Sequence, residues 1–489
     1  MSVGGYNSCA VRGYDKIIVC WGDNSAGQSN AHGAYGFVGT GFWHLCALEK
    51  EIGCWGYNGD GQTNSPTGMF GALGVGAWHN CASSIDGRPT CWGWNYYNQA
   101  TTAPPAATTY VPVAPTRLLD SRNGTGGVGR FSANSAQRFK VAGVGPVSAD
   151  AVAVTGNFTV TRQTAGGYAS LGPVKTNTPT TSTLNFPRGD TRANNVTVAL
   201  DSGGYLSAVY KAGAGTKTDF IFDVTGYFLA DDSGETYNPV SPVRLLDTRV
   251  SPVNGHHGAI VAKTPMTWTV AGRGEVPANA TAVTGNLTVT GQGAAGYVYL
   301  GPVATSAPTA STLNFPLGDT RANGVTVQLG ASGTLSAVYI SGTSTTKTTH
   351  LILDVTGYYL HDLSGAHYFP LTPDRVLDSR TNIEIGLIGP FHAKIAQTLT
   401  VAARVGAPSD AIAISGNLTV VGQTGAGYVS LTKATTDTPT TSTINVPRGD
   451  TRANGVTGPL SSSGTMGLVY VAGQAATTNL IMDITGYFK

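Results

Sequence analysis

Apolar residues fall along this chain in short runs, each bounded by Gly, Asn, Asp, Ser or Pro. The runs Ala151–Val160, Tyr205–Tyr210 and Phe220–Val224 are of strand length and rich in β-branched and aromatic residues, so they predict strands. No window carries the 3.6-residue period of an amphipathic helix. Many short strands separated by turn signals predict an all-β chain, and over most of its length the arrangement is that of β-sandwich, jelly-roll-like domains.

The pattern repeats. An Arg-Leu-Leu-Asp or Arg-Val-Leu-Asp opening places an aspartate at Asp120, Asp247 and Asp378, at spacings of 127 and 131 residues. The central stretch Ser182–Asn194 returns as Ser311–Asn323 and Ser442–Asn454, and each unit closes on Asp-Val/Ile-Thr-Gly-Tyr-Phe/Tyr. Solenoid and propeller repeats run about 20–50 residues, so a unit this long is a whole domain. Three tandem sandwiches are expected at 110–228, 237–359 and 368–489, after a Pro/Thr/Ala linker at 100–109 that should be extended and fairly stiff. The joints between them are short, so the domains are expected to touch.

Residues 1–99 follow a different, shorter period. All six cysteines lie here in three pairs, Cys9/Cys20, Cys46/Cys54 and Cys81/Cys91, with first cysteines 37 and 35 residues apart. That is a blade-length repeat. Turn-formers such as Asp86-Gly87-Arg88-Pro89 separate the members of each pair, so each reads as a hairpin with its cysteines facing across it. Disulfides are the expected state, with free buried thiols and zinc as alternatives; the gaps lack the Cys-x-x-Cys spacing that favours zinc.

Composition sharpens this picture. Charged residues make up 11% of the chain, less than half of the roughly 25% usual in soluble domains, while glycine reaches 66 of 489. Polar surface must therefore be carried by Thr, Ser, Asn and Gly, which suits turn-rich β structure. Net charge is +2 and spread along the chain, without the basic footprint of a nucleic-acid binder. Arg12, Asp15 and Lys16 interrupt any secretory signal near Met1, and no apolar span is long enough for a membrane helix. Neither Sec export nor membrane insertion is expected.

The Gly-x-x-His-x-Cys-Ala and Cys-Trp-Gly-x-Asn-x-x-Gly-Gln patterns resemble RCC1-like propeller repeats in a short-bladed, cysteine-bearing form. The resemblance implies a three-blade propeller fragment. Asn7 stands where the other blades have His44 and His79, so these histidines are expected to fix turns rather than share a chemistry. Three blades cannot close a ring, and the exposed edges are expected to be capped by another copy or by a neighbouring protein. The large units resemble a domain repeated in many secreted actinobacterial proteins, through the Arg-Leu-Leu-Asp-x-Arg opening, the Thr-Gly-Asn-Phe/Leu-Thr-Val strand, the Ser-Thr-Leu-Asn … Ala-Asn core and the closing Gly-Tyr-Phe. That resemblance implies cell-surface or carbohydrate association rather than catalysis.

Candidate chemistry is sparse. Asp120/Arg122, Asp247/Arg249 and Asp378/Arg380 stand two apart on one strand face and are expected to be structural ion pairs. Asp190, Asp319 and Asp450, in Gly-Asp-Thr-Arg, read as turn carboxylates capping backbone amides. A glycosidase needs two carboxylates in a cleft; the Asp sets could meet, but the five Glu occupy no equivalent positions. No nucleophile elbow and no calcium loop is present, so neither catalysis nor a cofactor or metal is expected. Tyr168, Tyr297 and Tyr428, each following a Gly-rich loop, are candidate glycan contacts, as are Trp94, Tyr96 and Tyr97 in the last blade. Together these features lead to the expectation of a virion surface protein, a minor tail protein of a phage of actinobacteria. It would be released by lysis, bound to other virion proteins and to host envelope glycan, and assembled as a homo-oligomer, with a trimer as one form; the threefold count inside one chain equally allows pseudo-symmetry in a monomer. A bacterial wall adhesin and a glycan hydrolase are the alternatives.

Overall fold

A computed structural model describes residues 1–66, 68–84, 89–94, 106–250, 258–380 and 385–489. The chain is nearly all β, and the described residues contain no α-helix, only a single 3-10 turn at Ala331–Gly333. It divides into two compact units, Met1–Pro105 and Ala106–Lys489.

The first unit holds three separate antiparallel three-stranded sheets. The middle sheet is Phe37–Thr40, His44–Leu48 and Ile52–Gly56, and its neighbours repeat the pattern. In each sheet the two cysteines are direct register partners on adjacent strands, which brings them close enough to bond. The disulfides Cys9–Cys20, Cys46–Cys54 and Cys81–Cys91 are formed. Successive sheets are tied by buried polar groups. The Gln62 carbonyl accepts from Asn80 Nδ2 and from Trp92 Nε1, each at 2.9 Å, and His44 Nε2 meets Asn80 Oδ1 at 2.9 Å. His44 is buried and its pKa is lowered, chiefly by that burial, so its role here is structural.

The cores of this unit are small, so the bridges matter. Each closes a loop of about ten residues and is worth roughly 2–3 kcal/mol. Reduction with dithiothreitol is expected to open this unit first. Limited proteolysis under reducing conditions should then cut within residues 1–94 while the 106–489 unit stays intact, and equal resistance with and without reductant would contradict this.

In the second unit each repeat builds two antiparallel sheets. In the first repeat the larger sheet runs Thr109–Asp120, Lys217–Leu229, Ala151–Thr161, Arg192–Ala199, and the smaller runs Gln137–Lys140, Tyr205–Lys211, Gly167–Gly172, Leu184–Phe186. Phe139, Leu171, Leu184 and Leu206 of the smaller sheet pack on Phe158, Phe220 and Phe222 of the larger, giving a β-sandwich core. Corresponding strands and cores recur in the second and third repeats.

The larger sheet is buried on both faces. Along Lys217–Leu229, Phe220, Phe222 and Val224 enter the sandwich core, yet the alternate residues Asp219, Ile221 and Asp223 are also no more than 5% exposed. Alternation puts one set on the far face, where Asp219 is covered by Arg130 and Arg162 of its own repeat and Asp223 meets the Ser311 amide of the next.

The three repeats close on themselves in a ring with pseudo-threefold symmetry. Strands Arg192–Ala199, Arg321–Gln328 and Arg452–Pro459 converge on the axis, each touching the other two. There Asn194 Nδ2 donates to Asn417 Oδ1, Asn323 Nδ2 to Asn157 Oδ1 and Asn454 Nδ2 to Asn286 Oδ1, at 2.8, 2.8 and 3.0 Å. At one end of the repeats six rings form a closed circuit: Tyr110, Phe228, Tyr368, Phe488, Tyr237, Tyr359 and back to Tyr110, with successive centroids 4.2–5.2 Å apart. Main-chain bonds between Tyr110 and Glu235, Tyr237 and Ala366, and Thr108 and Tyr368 stitch the joints beside it. Close approach explains the glycine of each closing motif, since a Cβ on Gly226 would lie 2.2 Å from the Tyr110 ring.

Candidate functional site

Two sets of charged residues behave differently. Asp190, Asp319 and Asp450 are not turn caps. They alternate with Arg192, Arg321 and Arg452 in a closed ring of six charges that spans all three repeats. Arg192 holds Asp190 at 2.7 Å and Asp450 at 2.5 Å; Arg321 holds Asp319 at 2.7 Å and Asp190 at 2.8 Å; Arg452 holds Asp450 at 2.7 Å and completes the circuit on Asp319. The turn expected from Gly-Asp does form, with Gly189, Gly318 and Gly449 at positive φ, but each carboxylate has two guanidinium partners, one of them from another repeat. Burial pushes the Asp190 carboxyl up, yet Arg321 and Arg192 together hold it below the usual range.

The second set lines the junctions between repeats. In the second repeat Arg244 forks onto Asp354 at 2.8 and 3.1 Å and reaches Asp247 at 3.5 Å, while Arg249 forks onto Asp247 at 2.9 and 2.7 Å. The hydrogen bond from Arg249 holds Asp247 below the usual carboxylate range, whereas burial pushes Asp354 up against the pull of Arg244. The first and third repeats repeat the arrangement: Arg122 meets Asp120 at 2.6 Å and Arg117 meets Asp223 at 2.8 Å; Arg380 meets Asp378 at 2.6 Å and Arg375 meets Asp483 at 2.9 Å. Two carboxylates therefore do meet in each repeat, but both are committed to guanidiniums.

At two of the junctions these arginines lie near the tyrosine of the next repeat. Arg244, Arg249 and Thr288 of the second repeat line a cleft of about 290 Å³ with Tyr428, Thr441 and Asn445 of the third. Between the first and second repeats, Tyr297 lies within electrostatic reach of Arg117; burial raises the tyrosine pKa and the arginine opposes it. Between the third and first, Arg375 Nη2 donates to the Thr180 carbonyl at 3.3 Å. Tyr168, Tyr297 and Tyr428 are all half-buried.

In the first unit Trp94 is half-buried, and its amide donates to the Trp78 carbonyl at 2.9 Å; Tyr96 and Tyr97 lie outside the described residues. A different aromatic group stands out there. Tyr6, Trp43 and Trp78, each just before the middle strand of its sheet, gather with Phe42 and Tyr57, and Trp43 sits 5.8 Å from Tyr6 and 5.1 Å from Trp78. The signal was the aromatic three residues before each first cysteine, as in Trp43-His44-Leu45-Cys46 and Trp78-His79-Asn80-Cys81.

No family model matches the chain, and no curated protein matches it. Among solved structures, the ectodomain of the Physcomitrella patens receptor kinase CR4 is 25% identical over 22% of this chain and 33% of its own, with a TM-score of 0.18. The CRINKLY WD40 ectodomain of the Arabidopsis thaliana receptor kinase ACR4 is likewise 25% identical over 22% of this chain and 42% of its own, with a TM-score of 0.18. A Sulfolobus Turreted Icosahedral Virus chain is 8% identical over 77% of this chain and 91% of its own, at 0.15. The chain thus spans well under half the length of either kinase ectodomain, and at these TM-scores the likenesses carry no argument. Among the described residues there is no group of three or more potential metal ligands and no helix long and apolar enough to cross a membrane. Three disulfides point to an oxidising, extracellular setting.

Proposed function

We propose that the chain is a non-enzymatic virion structural and adhesion protein, a phage minor tail protein that contacts the envelope of an actinobacterial host. The observation that carries this reading is the ring of three sandwiches, which sets the recurring arginines against the next repeat at every junction, beside Tyr297 and Tyr428 at two of them. Repeated weak sites on one rigid body raise avidity without new chemistry. The sheets of residues 1–94 act in this reading as RCC1-like blades, completed or capped by neighbouring tail proteins. A homo-oligomer would assemble through surfaces other than the axial faces, which the repeats already occupy. After lysis the protein works outside the cell, where its disulfides persist.

A wall-associated bacterial adhesin shares this chemistry. A glycan hydrolase is disfavoured by the commitment of both junction carboxylates to arginine. Purified full-length protein is expected to sediment with delipidated actinobacterial cell walls and to release no reducing sugar. Failure to sediment overturns the adhesive reading, and sugar release overturns the non-enzymatic one.

A further inference from the structure

Resting on that reading, we propose that the cleft between the second and third repeats binds an acidic saccharide, a sugar ring carrying a carboxylate or phosphate, with Arg244 and Arg249 taking the anion and Tyr428 packing on the ring.

The charge in this cleft is oriented. Arg249 and Arg244 are 45% and 31% exposed, whereas Asp247 and Asp354 behind them are only 4% and 2% exposed. The cleft wall therefore offers cationic N–H groups while the balancing carboxylates lie out of reach. Arg249 spends Nε and Nη2 on Asp247, and its Nη1 has no partner among the described residues. A guanidinium already braced by a buried carboxylate is held in place, so it loses little freedom when it binds. Its remaining N–H groups make charge-assisted bonds to an anion, roughly twice as strong as bonds between neutral groups, and add bidentate geometry.

The opposite wall is built for a sugar rather than a lipid. Tyr428 supplies a ring face, and Thr441 and Asn445 beside it supply short polar groups suited to hydroxyls. The volume of about 290 Å³ is at the small end of ligand sites and accommodates one sugar residue rather than a chain segment. A nucleic acid is disfavoured by the absence of a wider basic surface, given a net charge of +2 over 489 residues.

The test is isothermal titration of the full chain with trigalacturonic acid, glucose 1-phosphate and neutral maltotriose, with hydrogen exchange to locate binding. An acidic probe is expected to bind about tenfold more tightly than maltotriose and to protect residues 440–445. Whichever acidic probe wins identifies the anion as carboxylate or phosphate. Arg249→Gln should cost that probe about tenfold at this cleft and leave maltotriose unchanged, and Arg249→Lys, which keeps the charge but loses the fork, should recover only part. Tyr428→Ala should weaken acidic and neutral probes alike. Thermal melting checks that the variants remain folded. Equal affinity for acidic and neutral probes, protection elsewhere, tighter binding of a thymidine trinucleotide, or an unchanged titration for folded Arg249→Gln each overturns the proposal. If walls are bound but acidic sugars are not, the cleft assignment fails and the adhesive reading stands. If acidic sugars are bound but walls are not, the reverse holds.

Discussion

Replacing Gly455 with alanine is expected to cost the 106–489 unit about 3 kcal/mol or more, although the change adds a single methyl to a strand of ordinary geometry. The three axial strands meet at Asn195, Gly324 and Gly455, and a Cβ on Gly455 would lie 1.8 Å from the Asn195 carbonyl oxygen; one on Gly324 would lie 2.0 Å from that of Gly455. Both obstacles are backbone, held by a neighbouring repeat. The Gly455 amide also donates to Asn194 Oδ1, so the strand cannot retreat without losing that bond. There is room at the axis for the side chain of one repeat, and Asn195 takes it. Making the third repeat more like the first, by Gly455→Asn, should therefore be worse than alanine. Urea unfolding followed by tyrosine fluorescence measures the loss. Gly458→Ala, three residues along the same strand with open space at its Cβ, serves as the control and should stay within about 0.5 kcal/mol. Matched losses at both positions would show that strand glycines in general, rather than closure of the axis, set the cost.

Arg321→Ala is the second large effect, expected at about 3–5 kcal/mol, the cost of removing one partner from a buried ion pair. Arg321 is 5% exposed and satisfies Asp190, Asp319 and the carbonyls of Thr191 and Asn314. Its loss opens the six-charge ring and leaves Asp190 with Arg192 alone and Asp319 with Arg452 alone. Arg321→Lys should recover little, because a single ammonium cannot span two carboxylates and two carbonyls. The pH dependence separates this from simple loss of packing. Asp190 has a lowered pKa in the folded chain, so it contributes stability above the ordinary carboxylate value that is lost as pH falls through the folded value. Wild-type stability is thus expected to drop as pH falls below about 4. The variant, in which Asp190 has lost Arg321 and keeps only Arg192, should drop less steeply. A parallel pH profile for both proteins would mean that the ring contributes through shape rather than charge.

The all-β character and the disulfide framework were legible because both are local. Period-2 apolar runs specify strands, and each cysteine pair sits on one hairpin. The assembly of the repeats was only half legible: three copies on short joints imply touching domains and admit pseudo-symmetry within one chain, but periodicity does not say which faces meet. Asp190 illustrates the difficulty: its neighbours Gly189 and Thr191 suggest a turn, while its deciding partner, Arg321, is 131 positions away. The low charge and abundant Thr and Asn carried a trace of the answer. Asn157, Asn195 and Thr155 are buried on a sheet face that in an isolated sandwich would be wet. The junction clefts were half visible. The arginines and the tyrosines were each singled out, but their meeting depends on which repeat follows which around the ring. The aromatic group of Tyr6, Trp43 and Trp78 was missed because each sheet contributes only one or two members, which read singly as ordinary core or surface residues.

The circuit of Tyr110, Phe228, Tyr368, Phe488, Tyr237 and Tyr359 has a consequence for how the protein survives outside a cell. Three separate subunits joined by such contacts would dissociate once their concentration fell below the dissociation constant of the assembly. Here the same contacts are made within one polypeptide, so the ring holds together however far a single molecule is carried from its source.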